Sequence, residues 1–344
     1  MKKLLNTLYI TSEKTYLSKE GETVQIEIDQ EVKHRFPIHL LEGIVCFGHV
    51  MCSPALMHMC ACHKVSLSFL SARGKFLAKV QGPVSGNVLL RREQYRRADD
   101  ESKSHAIARS TIFGKLANSK TVLMRGARDS QNETISHLLS KSAGHITYLV
   151  KNLENTNNLD QLRGLEGEAA KAYFSVFDHL ILSQKEDFFF HERSRRPPLD
   201  NMNALLSFLY TLLAHDVISA IEAIGLDPAV GFLHRDRPGR PSLALDLMEE
   251  FRSFIADRLA LTLVNRNQIK GKGFIKSESG DIRMNDDTRK EVLLGYQKRK
   301  QEEITHPFLC EKIPIGLIPH VQASLLARHL RGDLDAYPPF IWKS

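Results

Sequence analysis

Four side chains in this 344-residue sequence have types and neighbours that could do chemistry together: Glu166, His234, Asp246 and Glu249. Glu166 lies in Gly164-Leu165-Glu166-Gly167-Glu168-Ala169-Ala170, read as the start of an amphipathic helix whose other positions are small or aromatic. An acid in a first helical turn is also common simply because it complements the helix dipole. His234 ends Gly231-Phe232-Leu233-His234, just before an Arg-Pro-Gly loop, and a histidine after apolar residues is as a rule a hydrogen-bonded structural group. Asp246 and Glu249 stand three residues apart in Leu243-Ala244-Leu245-Asp246-Leu247-Met248-Glu249-Glu250-Phe251-Arg252, so a helix turns them to nearly the same side. Apolar residues flank both, and at least one carboxylate should therefore face a partly buried interior. Such a carboxylate needs an arginine or a cation beside it.

A glutamate, a histidine and a second acid from three separate segments would make an open site for one divalent ion. Two carboxylates suit Mg²⁺ or Mn²⁺, the remaining positions going to waters and a phosphate oxygen. The single imidazole favours Mn²⁺, because Mg²⁺ prefers all-oxygen shells. An ion held this way activates a hydroxyl nucleophile and stabilises a phosphodiester during displacement. No HExxH, P-loop, GxGxxG or GxSxG motif offers a rival chemistry. On spacing alone, however, the set is one of many that 40 acids and 15 histidines could supply.

The elements that must position these residues change character along the chain. The first 90 or so residues read as short strands. Thr15 to Lys19 and Thr23 to Asp29 alternate around Glu20-Gly21-Glu22 as a hairpin. Ile44 to Phe47, Val65 to Leu70 and Phe76 to Val80 are further β-rich runs, the last two joined through Arg73-Gly74, and Pro54 to Cys62 fits a short helix. The fold class expected is α+β: an N-terminal β-sandwich over residues 1–92, then a larger all-α domain over 93–344. In the second part the helical runs are His137 to Asn152, Gly164 to His179, Asn203 to Ile224 (closed by Gly225 and Pro228), Leu243 to Val264 and Arg289 to Glu303. Arg193 to Pro198 and His234 to Pro241 are loops, Lys270 to Asp287 a loop or hairpin, and Gly332 to Ser344 a loosely ordered tail.

Bulk properties narrow the partners. The net charge is +7 and the pI near 9.1, which favours a polyanion without proving one. From Arg91 to Arg128 ten Lys or Arg face four acids. The run is either a solvated helix face or a phosphate-binding surface carrying Arg91, Arg92, Arg96 and Arg97. Arg235, Arg237 and Arg240 add positive charge beside His234. The five cysteines (Cys46, Cys52, Cys60, Cys62 and Cys310) match no zinc spacing and are expected to be reduced core residues of a cytoplasmic protein. No uninterrupted apolar run reaches 18 residues, so no membrane span is expected.

At the site residues the chain resembles a known family. Gly164 to Phe174 resembles the first signature of the CRISPR-associated integrase, the founding protein of the Cas series; Asn203 to Tyr210 looks like its central helix. Gly225 to His234 is similar to its histidine motif and Leu245 to Arg252 to its last acidic motif. Length and motif wording look closest to the type I-C branch. The resemblance implies a β-sandwich that helps to dimerise the protein and an all-helical catalytic domain. It also implies a Mg²⁺ or Mn²⁺ site made by Glu166, His234 and Glu249, with Asp246 in support. Glu250 stands where relatives often carry Pro, a departure expected to leave the ligands untouched. The implied partners are double-stranded and branched DNA, a second copy of the chain, and the small second CRISPR-associated protein. The implied reaction is insertion of a short duplex into the repeat array by transesterification. The competing expectations are a metal-dependent repair nuclease and a non-catalytic DNA-binding scaffold.

Overall fold

The computed structural model describes residues 5–12, 14–71, 76–82, 88–195, 197–278 and 280–342. The chain divides into two compact units, Met1–Ser85 and Gly86–Ser344. The first holds β1 (Asn6–Ile10), β2 (Thr15–Glu20), β3 (Thr23–Ile28), β4 (Glu31–Pro37), β5 (Leu41–Phe47), β6 (Val50–Cys52), α1 (Pro54–His63), β7 (Ser66–Leu70) and β8 (Phe76–Val80). The strands form two four-stranded sheets, ordered β1-β5-β7-β8 and β4-β3-β2-β6. The β2–β3 hairpin pairs Glu20 with Thr23 around Gly21, whose φ of +57° suits a glycine. Leu17, Val24 and Ile26 from one sheet share a core with Ile10, Ile44, Cys46 and Leu67 from the other and with Leu56, Met59 and Cys60 of α1. β4 escapes the sequence reading because five of its seven residues, Glu31 to Arg35, are exposed, so no apolar alternation marks it. The Arg73-Gly74 connection lies outside the described residues.

The cysteines divide by environment. All are free; Cys46 and Cys60 are buried, Cys52 is half-buried, and Cys62 and Cys310 are exposed, which corrects the expectation that all five are core residues. Burial pushes the Cys52 thiol up to about 11 and the Cys60 thiol to about 12, leaving both inert as nucleophiles near neutrality.

The second unit holds α2 (Val88–Asp99), α3 (Glu101–Asp129), α4 (Glu133–Asn152), α5 (Leu159–Ser175), α6 (Asn201–Ile224), α7 (Ser242–Glu249), α8 (Arg258–Asn265), β9 (Phe274–Lys276), β10 (Ile282–Met284), α9 (Asp286–Gln301), β11 (Glu303–Thr305), β12 (Lys312–Pro314) and α10 (Ile318–Arg331). Arg91 and Arg92 therefore lie inside α2 of the helical unit. Side-chain caps start the long helices: Asp100 accepts from Lys103 N, Asn158 from Gln161 N and Asp200 from Asn203 N. By length and composition α6 could cross a membrane, although no uninterrupted apolar run foretells it. Its Met202, Leu205, Leu206, Leu209, Leu212 and Leu213 are buried within this unit, as in the core helix of a globular domain.

Two expectations change here. The run from Leu243 to Val264 is not one helix. α7 stops at Glu249, a π-helical turn covers Arg252–Asp257, and α8 follows. Such a wide turn redirects the side chains after it. The tail is also not loose. Tyr337 and Phe340 are 2% and 0% exposed, fastened to the buried carboxyl of Glu250. Tyr337 Oη donates to it at 2.7 Å, Phe340 N at 2.7 Å and Gln322 Nε2 at 3.1 Å. Burial raises the Glu250 carboxyl to about 8, against the three donors that pull it down. Glu250 is thus a structural anchor for the tail, a role its place beside Glu249 did not suggest.

Candidate active site

α3, α5, α7 and the segment before α7 surround one cavity of about 120 Å³. Its lining includes Lys115, Glu166, His234, Glu249, Arg252 and Asp257. Glu166 reaches it from the third turn of α5, which begins at Leu159. It is therefore not the first-turn acid expected, and helix-dipole pairing does not explain it. Glu249 arrives from the last residue of α7, with its side chain 5% exposed. His234 comes from the loop between α6 and α7.

That loop is shaped by Asp246. Its buried carboxylate accepts from the backbone N–H groups of Phe232 at 2.6 Å, Leu233 at 2.9 Å and His234 at 3.0 Å. It also lies 2.6 Å from His234 Nδ1. A carboxylate has only lone pairs to offer, so Nδ1 donates and Nε2 keeps its lone pair for a ligand or a proton. Gly231 permits this wrap: a Cβ there would meet Asp246 Oδ2 at 2.7 Å and Ser242 C at 2.8 Å. Arg163 of α5 clamps the same loop, donating Nη2 to Leu233 O at 2.6 Å. Asp246 therefore orients the imidazole and is not itself among the residues that line the cavity.

Charge balance in the cavity is unusual. Lys115 of α3 places its ammonium between the two glutamates, on Glu166 Oε1 and 2.7 Å from Glu249 Oε2. Arg252 takes the other Glu249 oxygen at 2.9 Å and lies over the Tyr210 ring at 5.2 Å. Burial by itself would raise the Glu249 carboxyl, but Arg252 and Lys115 outweigh it and hold the group down at about 2. Among the described residues Glu249 Oε2 is fully buried and makes no well-aligned hydrogen bond, and the Lys115 ammonium stands 2.7 Å from it.

The donor set fits a divalent cation on these grounds: two carboxylates and a free imidazole nitrogen around one cavity, and a buried carboxylate oxygen answered only by a cation. As the side chains stand, no three His, Cys, Asp or Glu groups among the described residues converge closely enough to hold an ion. Glu166 and Glu249 are bridged by Lys115 instead.

Asp257 forms the floor. It accepts from Tyr210 Oη at 2.7 Å and Tyr173 Oη at 3.1 Å, and burial raises its carboxyl to about 6 against a usual 3.8. The native state thus keeps a proton that the unfolded chain releases as pH rises from about 4 to 6, so this group's contribution to stability is present below that window and lost through it. Asp257→Asn is expected to flatten that decline, about 2 kcal/mol, when denaturant unfolding is compared at pH 4.5 and 7.

The arginines singled out by the sequence separate into two groups. Arg91 Nε donates to Gly225 O at 3.0 Å. Arg97 pairs with Glu93 at 3.0 Å and reaches His329 Nε2 at 3.3 Å. Arg235 bonds Asp160 at 3.0 Å. Arg91 and Arg97 tie elements together, whereas the Arg235 pair is open to solvent, its side chain 67% exposed. Arg92, Arg96 and Arg237 are exposed, Arg240 half so. Sequence reasoning missed the cations nearest the acids. Arg252 was legible as the i+3 partner of Glu249, whereas nothing local marks Lys115, Arg193 or Arg195 as cavity residues.

Known proteins agree with this architecture. A CRISPR-associated endonuclease Cas1 from Chlorobaculum tepidum is 54% identical over 343 residues, covering 100% of each chain. A second from Rhodospirillum rubrum is 52% identical over 347 residues, again covering 100% of each. The solved structure of a Cas1 protein from Thermotoga maritima superposes with a TM-score of 0.82 at 26% identity, over 95% of this chain and 97% of that one. Residues 8–298 match the family described as CRISPR associated protein Cas1. With its motif residues gathered on one cavity and its relatives matched end to end, this chain belongs to the Cas1 family.

Proposed function

We propose that this chain is the integrase of CRISPR spacer acquisition, a divalent-metal-dependent DNA endonuclease and strand transferase. The observation that carries the reading is the meeting of Glu166, His234 and Glu249, from three separate elements, on one cavity rimmed by Lys115, Arg193, Arg195 and Arg252. The acids and the imidazole are the groups to hold Mg²⁺ or Mn²⁺. When bound, the ion would supply Lewis-acid stabilisation of the phosphodiester under attack. Asp246 keeps His234 in one tautomer, and the cationic rim binds the phosphate. The 3′-oxygen of the incoming strand forms a bond to phosphorus as the bond to the repeat's own 3′-oxygen breaks. One ester replaces another, so no protein nucleophile is required. The motif wording and length support a place in the type I-C branch.

The two sheets around a common core support a β-sandwich, and we assign that unit to dimerisation, with the small second CRISPR-associated protein docking on the helical unit. A single cavity serves one strand, so joining both ends of a duplex requires at least two copies. A chain lacking residues 1–85 should run as a monomer in light scattering and lose full-site integration, while the intact chain runs as a dimer. For DNA, the exposed Arg92, Arg96 and Arg237 support sequence-tolerant phosphate contacts to double-stranded and branched substrates. Affinity should fall steeply with salt, and replacing the three with Gln should reduce the log–log slope by about one unit per lost contact. An unchanged slope would remove them from the interface.

The function itself is tested by strand transfer into a supercoiled repeat plasmid, with and without Mn²⁺ and the small partner. Integration that requires both supports the reading. Cleavage without joining would favour a repair nuclease, and binding without either a scaffold.

A further inference from the structure

Lys115 has a position that neither folding nor phosphate binding explains by itself. Its side chain is 13% exposed on α3, which packs against both α5 and α7. The ammonium sits between Glu166 and Glu249, where two carboxylates from different helices approach each other. Glu249 Oε1 already belongs to Arg252, at 2.9 Å, so Oε2 is the oxygen left for an ion, and the Lys115 charge is what stands 2.7 Å from it. The two cations are not equivalent. Arg252 is a planar fork held between Glu249 and the Tyr210 ring. Lys115 is a compact charge on a flexible four-carbon stem, beside a cavity of about 120 Å³ into which it can withdraw.

We infer that Lys115 is a positioning residue that occupies the cation place between Glu166 and Glu249 until a divalent metal displaces it, and that it then turns its charge toward the bound phosphate. The inference rests on the metal site proposed above. Two like charges cannot share the space between the carboxylates. The ammonium and the metal therefore compete, and the competition is reciprocal. Before displacement Lys115 keeps the two helices together by neutralising a buried acid. Afterwards it is a free cation at the edge of a site built for an anion. The arrangement makes an empty site stable and makes metal affinity weaker than the donor set alone would give.

The test is a Mn²⁺ titration, read as the electron-paramagnetic signal of free Mn²⁺, on the intact protein, Lys115→Met and Glu249→Gln. Lys115→Met should bind Mn²⁺ about tenfold more tightly than the parent. In chelator it should melt several degrees lower, a gap that closes as Mn²⁺ saturates. A measurement on the unaltered protein guards against a misfolded variant. Acetylation of Lys115, followed by mass spectrometry, should be slow in chelator and accelerate when Mn²⁺ is added. If Mn²⁺ binds the parent and is lost in Glu249→Gln, yet Lys115→Met affinity and Lys115 acetylation do not move, the displacement is wrong and the metal site stands. If none of the three proteins takes Mn²⁺, the metal site and the displacement fall together.

Discussion

Alanine at Glu166, His234 or Glu249 is expected to lower strand transfer and cleavage by at least ~10³-fold, the loss of several kcal/mol of transition-state stabilisation. Each side chain comes from a different element and lines the same cavity, so none can stand in for another. The effects on folding should differ, which separates chemistry from stability. Glu166 is 28% exposed, and alanine there removes its contact with Lys115. Glu249→Ala leaves Arg252 buried without its carboxylate, which should cost about 3–5 kcal/mol in addition to activity. Glu249→Gln keeps the shape and is the fairer test of charge. Denaturant melts beside plasmid integration assays make the comparison. Full activity in Glu249→Ala would remove that residue from the site.

Asp246→Ala should be nearly as damaging, for a different reason. The carboxylate serves three backbone N–H groups and the His234 ring. Alanine would leave these donors buried and unpaired at about 1–3 kcal/mol each, partly recovered if water enters. The loop carrying His234 would loosen and the imidazole would lose its fixed tautomer. We expect a loss of stability of several kcal/mol together with integration well below a tenth of the parent. Asp246→Asn should do less harm to folding than alanine, because its amide oxygen still accepts. A variant that melts like the parent and integrates normally would show that the loop holds its shape without this anchor.

Glu166, His234, Asp246 and Glu249 could be singled out because their short motifs resemble those of a known family, whereas spacing alone left them one set among many. What could not be read were the contacts that depend on how helices meet. Lys115 looks like one more cation in a basic run, and only the packing of α3 against α5 and α7 makes it the partner of two acids. The break after Glu249 was hidden for a related reason. Arg252 to Asp257 continues the apolar helical periodicity of α7, and the wide turn is set by what Arg252 and Asp257 must reach. The anchoring role of Glu250 could not be read because its partners, Gln322, Tyr337 and Phe340, lie more than 70 residues away. In the first unit the hairpin and α1 carried local signals, whereas β4 is an edge strand whose first five residues are exposed, with Phe36 at its far end packed on the core.

Glu166, His234 and Glu249 are proposed to hold one divalent ion together. The most direct measurement is the anomalous scattering of crystals soaked in Mn²⁺. A single peak is expected at roughly 2.0–2.3 Å from a carboxylate oxygen of each glutamate and from His234 Nε2, with the Lys115 ammonium moved out from between the acids. A peak elsewhere, or no peak while Lys115 still bridges Glu166 and Glu249 at saturating Mn²⁺, would contradict it.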